Sequence, residues 1–210
     1  MPTIEWNKGW ASNLTDFMNN KLTGKFYGDH WGDPEVRDDL KKVVTEHLRP
    51  FVSSTTTSLE IGSGGGRWTQ YLLPSKQVYC VDLNAEMFDV LKERFPEAQN
   101  LAFVHTKGTD LPGIEPDSID FVFSFGTFVH CDVPIIESYL LSLYPVIKQT
   151  GRAVIQFADK RKRAAAENVG FAETTPDIFS EIAKKCGYNV LQMDDETVPH
   201  SAIAHIAPIK

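Results

Sequence analysis

Cysteine is scarce in this chain of 210 residues: three are present, Cys80, Cys131 and Cys186, far apart and with no CxxC pair. That spacing suggests neither a zinc knuckle nor a disulfide framework, so no metal is expected, and reduced thiols suit the cytoplasm. Long apolar runs are missing too. None approaches the ~18 residues that a membrane span needs. The first ten residues hold Glu5, Asn7 and Lys8 instead of the apolar core of a signal peptide. A soluble cytoplasmic protein without a membrane partner is the expectation. Positive charge is also short: 21 Lys and Arg against 28 Asp and Glu leave a net charge of -7. Nucleic-acid binders cluster basic residues on one face, so no nucleic-acid partner is expected. The compact basic run Lys160-Arg161-Lys162-Arg163 reads as a solvated loop or helix start.

What is present is an alternation. From residue 57 onward, short β-rich runs at 57–61, 77–81, 101–105, 119–125 and 152–157 are separated by helical patterns at 67–73, 84–95 and 134–148. Asn84 reads as a helix N-cap, Pro134 as a helix opening, and Thr150-Gly151 as a turn. After a helix at 176–185 ended by Gly187, two strands at 188–193 and 201–207 have no helix between them and predict an antiparallel hairpin at one edge. The fold class is therefore α/β: a Rossmann-like, doubly wound, mostly parallel seven-stranded sheet with helices on both faces. Residues 1–50 differ. They hold Trp6, Trp10 and Trp31, a Gly/Asp-rich stretch at 27–34 and an amphipathic helix at 34–48. They predict an N-terminal helical cap or lid on a single unit spanning 51–210.

Between the first strand and helix lies Leu59-Glu60-Ile61-Gly62-Ser63-Gly64-Gly65-Gly66-Arg67, and twenty residues after Gly62, at the end of the next strand, stands Asp82. Glycines allow a tight turn and close backbone approach to a ligand, and an acid so placed can accept both hydroxyls of a ribose. A tight strand-to-helix turn without a ligand is the bland alternative for the glycines alone. The dinucleotide pattern G-x-G-x-x-G requires glycine where Arg67 stands, and G-x-x-x-x-G-K-[ST] is absent, which disfavours nicotinamide and nucleoside-triphosphate binding.

The pattern Glu60-x-Gly62-x-Gly64-x-Gly66 with Asp82 resembles the class I S-adenosylmethionine-dependent methyltransferases, and the resemblance runs from about residue 57 to 157. It implies S-adenosylmethionine as cofactor. It places Glu60 toward the cofactor's amino group, and Gly62, Ser63 and Gly64 against its methionine and ribose portions. Asp82 falls on the ribose and Leu83 beside the adenine. Gly108-Thr109-Asp110-Leu111-Pro112 and the following Ser-Ile-Asp block match the family's next motif, with Lys107 where an acid usually stands, so adenine would be read by backbone near Gly108 and Thr109. Ser124-Phe125-Gly126 falls where family members contact the methionine backbone.

A sulfonium methyl is already activated, so the protein mainly aligns the reactants, and a base helps where the acceptor is a hydroxyl. His130, just past strand four, is the first candidate base, with packing at a helix start as its alternative. His30 is the second. Tyr27 and Trp31, with Trp6 behind them, are candidates to line the acceptor pocket. No D/N-P-P-Y/F follows strand four and no Pro-Cys pair exists, which argues against methylation of nucleic-acid bases. A small-molecule methyl acceptor remains, modified at oxygen, with nitrogen, carbon or non-catalytic cofactor binding as alternatives.

Overall fold

The computed structural model describes residues 3–209. Seven strands, β1 (Thr57–Ile61), β2 (Gln77–Asp82), β3 (Leu101–His105), β4 (Ile119–Ser124), β5 (Ile147–Ala158), β6 (Tyr188–Asp194) and β7 (Ser201–Pro208), form one sheet in the order β3-β2-β1-β4-β5-β7-β6. The first five run parallel, and β7 is antiparallel to both neighbours. A parallel return needs a dozen or more residues, whereas β6 and β7 are joined by residues 195–200 alone, which forces the hairpin. The expected doubly wound, seven-stranded architecture is what forms, with the last strand inserted beside β5 and β6 at the edge.

The helices are α1 (Ile4–Lys8), α2 (Trp10–Met18), α3 (Asp38–Lys42), α4 (Thr69–Leu72), α5 (Met87–Arg94), α6 (Val133–Leu143), α7 (Arg163–Ala166) and α8 (Pro176–Lys185). Side chains alternate across each strand, and both faces are covered. Leu59, Ile61, Val81 and Val122 pack on one face with Ile136 and Leu140 of α6 and Phe179 of α8. Val78, Cys80, Phe121 and Phe123 pack on the other, against Leu40, Val43 and Leu48. This two-sided burial is why 119–124 is apolar at nearly every position. The three cysteines are buried and free.

Residues 38–51 thus lie on the sheet, while residues 4–31 approach its carboxyl end. Trp10, Leu14 and Phe17 share one face of α2 at helical spacing and pack with Tyr27 on Met87 and Val90 of α5. Tyr27 seats them on the glycine-rich loop. A Cβ at Gly65 would stand 2.0 Å from the Tyr27 carbonyl oxygen, so backbone meets backbone there.

Several boundaries depart from the sequence expectation. The helix expected at 34–48 begins at Asp38 and widens into a π turn over Val43–Leu48. The helix expected from Asn84 begins at Met87 with Glu86 at its N-cap: the Asn84 side chain is turned to the Asn7 carbonyl at 3.4 Å, and its own carbonyl accepts the Met87 N–H at 3.1 Å in a turn ahead of the helix. The helix expected at 134–148 ends at Leu143. Ile147 already pairs with Ile119, so Thr150 and Gly151 lie inside a bulged β5 and form no turn. Among the described residues no helix is long and apolar enough to cross a membrane.

Gly65→Ala should destabilise the chain by about 1–3 kcal/mol, the usual cost of overpacking, read as a lowered urea midpoint. An unchanged midpoint would show that Tyr27 is not held against this loop.

Candidate active site

The strand order reverses between β1 and β4, and open α/β sheets bind ligands in the crevice beyond the strand ends at such a point. A cleft of about 480 Å3 opens there, within the range of small-molecule sites. Its floor is the turn after β1. Gly62 and Ser63 donate their N–H groups to the Val81 carbonyl at 2.8 and 3.3 Å, which closes the turn onto β2. Gly64 donates its N–H to one Asp82 oxygen at 2.9 Å, and Asn84 donates to the other at 2.9 Å. The carboxylate is thereby fixed at the end of β2, with a lone pair remaining on each oxygen. Burial pushes its pKa up, while those two N–H donors pull it down.

Gly64 sits at φ +49, and no atom lies within 4 Å of where a Cβ would stand, so the turn is open to a ligand. The Ser63 hydroxyl beside it is buried with no hydrogen-bond partner. An open backbone turn, an unpaired hydroxyl and a tethered carboxylate suit a nucleoside with a polar extension. Glu60 stands behind this turn, not in the cleft wall. It is 2% exposed and accepts the Thr69 hydroxyl proton at 2.6 Å. Burial raises its pKa to about 8 against the opposing Thr69 hydrogen bond, so it holds a proton at neutral pH.

His130 ends a short turn, Phe128–His130, that follows β4. Its Nδ1 lies 2.8 Å from the Gly170 carbonyl oxygen, which accepts only if Nδ1 carries the proton. That leaves the Nε2 lone pair free. Trp6, Trp10 and Phe171 flank the ring at 5.1, 5.1 and 5.2 Å. Burial lowers the His130 pKa, with the Gly170 hydrogen bond working against it, so the imidazole is neutral at physiological pH.

Of the residues singled out from sequence, Gly62, Ser63, Gly64, Asp82 and Leu83 line the cleft. Phe125, Gly126, His130, Tyr27 and Trp31 line it as well. Four more do not reach it. Ser124 donates its hydroxyl to the Ile61 carbonyl at 2.8 Å, inside the β1–β4 seam. The Gly108 N–H is turned onto the Thr106 hydroxyl at 3.2 Å, and the Thr109 hydroxyl meets Ser138 at 2.5 Å. His30 packs its ring 4.2 Å from Trp31, with a buried Nδ1 that has no partner. Trp6 is 40% exposed and stacks on His130 behind the cleft wall.

The cleft also recruits residues that sequence reasoning passed over. Gln156 accepts the Gly126 N–H at 2.7 Å and donates to the Ser201 hydroxyl at 2.6 Å. A fully polar amide inside the apolar run 152–157 was the signal for it. His200, which reads as a strand or surface residue, lines the cleft beside Phe171, and so do Asn84, Arg67 and Trp68.

Residues 59–151 match the model of a methyltransferase domain. Over 139 residues the chain is 32% identical to an uncharacterized methyltransferase of Schizosaccharomyces pombe, covering 64% of this chain and 53% of that protein. Over 133 residues it is 29% identical to ribosomal RNA small subunit methyltransferase A of Clostridium botulinum, covering 61% and 44%. The chain spans about half the length of the curated relatives it matches. A solved DhpI–SAH complex has the same fold, with a TM-score of 0.70, 18% identity, and coverage of 99% of this chain and 97% of that one.

A carboxyl whose folded pKa lies above its unfolded value is favourable below about pH 4.5, and that contribution is lost as pH rises toward about 8. Glu60→Gln should therefore raise the melting temperature of the ligand-free chain at pH 8 by about 2–4 °C per kcal/mol relieved, with little change at pH 5. Equal shifts at both pH values would place the Glu60 proton elsewhere.

Proposed function

We propose that this chain binds S-adenosylmethionine as a class I methyltransferase and transfers its methyl group to a hydroxyl of a small molecule, with His130 as the general base; the match of residues 59–151 to a methyltransferase domain and the shared fold of the DhpI–SAH complex support the cofactor. The cofactor supplies a methyl group already activated on a sulfonium. Asp82 accepts the ribose hydroxyls with the lone pairs left over from Gly64 and Asn84. Leu83 gives the base an apolar neighbour, and the open turn at Ser63 and Gly64 receives the amino-acid half. Glu60 acts on that half through the turn: an ammonium nearby favours loss of the Glu60 proton and relieves the cost of its burial.

The observation that carries the oxygen-acceptor reading is the fixed tautomer of His130. Its Nδ1–H is committed to Gly170, its Nε2 is basic, and aromatic rings on three sides hold the imidazole in place. A neutral histidine so oriented can take the proton of an acceptor hydroxyl as that oxygen meets the methyl carbon. Gln156, pinned between Gly126 and Ser201, presents its amide to the same space. A small acceptor rather than a nucleic acid is supported by the net charge of -7 and by the coverage of the cleft by residues 4–31. Residues 1–50 in this reading contain the lid, and 51–210 the catalytic unit. Cofactor binding without transfer is the competing account, and the second measurement below separates the two.

Asp82→Ala should weaken S-adenosylhomocysteine binding, followed by calorimetry, about 100-fold or more, since two hydrogen bonds to a charged group are lost, each worth about 1.5–3 kcal/mol. Unchanged affinity would remove Asp82 from the ribose. On a panel of phenols and hydroxy acids, acceptor-dependent release of S-adenosylhomocysteine should fall about 100-fold or more in His130→Ala, with S-adenosylhomocysteine affinity retained. Near-normal turnover would reduce His130 to packing, and release from no acceptor would favour the non-catalytic account.

A further inference from the structure

Arg67 is a half-buried cation with no carboxylate paired to it among the described residues. Among the described residues its side chain makes one polar contact, a 3.3 Å hydrogen bond to the Gly32 carbonyl. Its guanidinium lies 5.9 Å from the Trp31 ring and 5.2 Å from the Trp68 ring. Two other guanidiniums are near, and each has an acid of its own: Arg37 is paired with Asp39 at 2.5 Å and Arg94 with Asp29 at 2.8 Å. Asp39 is further occupied by the Leu40 N–H at 2.9 Å. Three cations therefore share two carboxylates. Burial lowers the Arg67 pKa to about 10, with Arg37 adding to the effect. A charge withdrawn from water without a counter-charge is disfavoured, so the position is unfavourable in the ligand-free chain.

A second, independent group is unpaired beside it. Trp68 is 4% exposed, and its indole N–H has no hydrogen-bond partner. Phe125 packs on its ring at 4.4 Å and fixes its plane. Arg67 and Trp68 both line the cleft, as do Leu40 and Phe125, which pack in one cluster with Trp68. A planar guanidinium offers a fork that matches a carboxylate, and an indole offers one N–H and no acceptor.

We propose that Arg67 and the indole N–H of Trp68 form an anion subsite of the cleft that takes a carboxylate, either the cofactor's own amino-acid carboxylate or an acidic group on the methyl acceptor. This rests on the cofactor reading above for the source of the anion, but not for the existence of the subsite. The arriving carboxylate supplies the missing counter-charge of Arg67 and the missing acceptor of Trp68 together. The arginine that breaks the dinucleotide pattern thereby acquires a role of its own.

The test compares S-adenosylhomocysteine with 5′-methylthioadenosine, which keeps the nucleoside and thioether but lacks the amino-acid part. Both are titrated into the wild-type chain and into Arg67→Met, Arg67→Lys and Trp68→Phe, and acetate is titrated into the same proteins with and without S-adenosylhomocysteine. If the anion is the cofactor's, Arg67→Met should lose tenfold or more in S-adenosylhomocysteine affinity and nothing for 5′-methylthioadenosine. Arg67→Lys should recover part of that loss, and Trp68→Phe, which keeps the ring and removes the N–H, should lose several-fold. If the anion is the acceptor's, S-adenosylhomocysteine affinity should hold in all variants, while acetate binding to the loaded wild-type chain should vanish in Arg67→Met and weaken in Trp68→Phe. Unchanged affinities for both nucleosides and for acetate across the series would overturn the subsite. Failure of the wild-type chain to bind either nucleoside would instead overturn the cofactor reading, and acetate binding to the ligand-free proteins would then decide the subsite by the same comparison.

Discussion

The Asp82 carboxylate accepts one N–H from the turn after β1 and another from the segment after β2. Two strand ends are thereby tied by one side chain, and the tie fixes the position of every group that faces the cleft floor. The turn can bend back to meet Asp82 because Gly62 and Gly64 take positive φ. It can carry the N-terminal segment because Gly65 leaves room for the Tyr27 carbonyl. Tyr27 is itself anchored, its hydroxyl donating to Asn13 at 2.9 Å. A chain of close contacts runs from the end of β2 through the glycine turn to the aromatic residues over the cleft.

Charge in and around that cleft is unbalanced in a consistent way. Glu60 is buried behind the turn with its pKa raised, and Arg67, half-buried just past the turn, is paired with no acid among the described residues. A ligand carrying both an ammonium and a carboxylate would be matched at each side, and this complementarity involves no contact between the two residues. The cost of leaving such groups unpaired falls on the ligand-free fold, which a well-buried sheet with helices on both faces can sustain.

Outside the cleft lining, a second polar cluster joins the segment before β1 to the closing hairpin. His47, in the π turn, lies 2.8 Å from His205 on β7 and 2.8 Å from Asp194 at the end of β6. Burial, with His47 and Arg152 adding to it, lowers the His205 pKa to about 4, so this imidazole is neutral and can accept a proton from its neighbour. The widened turn places His47 within reach of both strands, and this links residues 43–48 to the closing hairpin.

The amino-acid order was enough for the sheet, its winding and the glycine turn at the cleft. Each depends on local chemistry: alternating apolar periods, glycines where backbone must bend, and an acid spaced to the end of the next strand. Gly62, Ser63, Gly64, Asp82, Leu83 and His130 were legible for that reason. Only the tertiary structure decided the rest. Asn84 reads locally as a helix cap, but its side chain is turned to the Asn7 carbonyl in the N-terminal segment, and the helix starts at Met87. Thr150 and Gly151 read as a turn, yet pairing of Ile147 with Ile119 draws them into β5. Gly108 and Thr109 match a motif, but the fold of 106–110 around Asp110 turns them from the cleft. Arg67 and His200 carry no local signal of a binding role, and Gln156 shows only as a polar residue in an apolar run. Their significance comes from partners about 30 or more residues away, or from partners that are missing, and a one-dimensional pattern records neither.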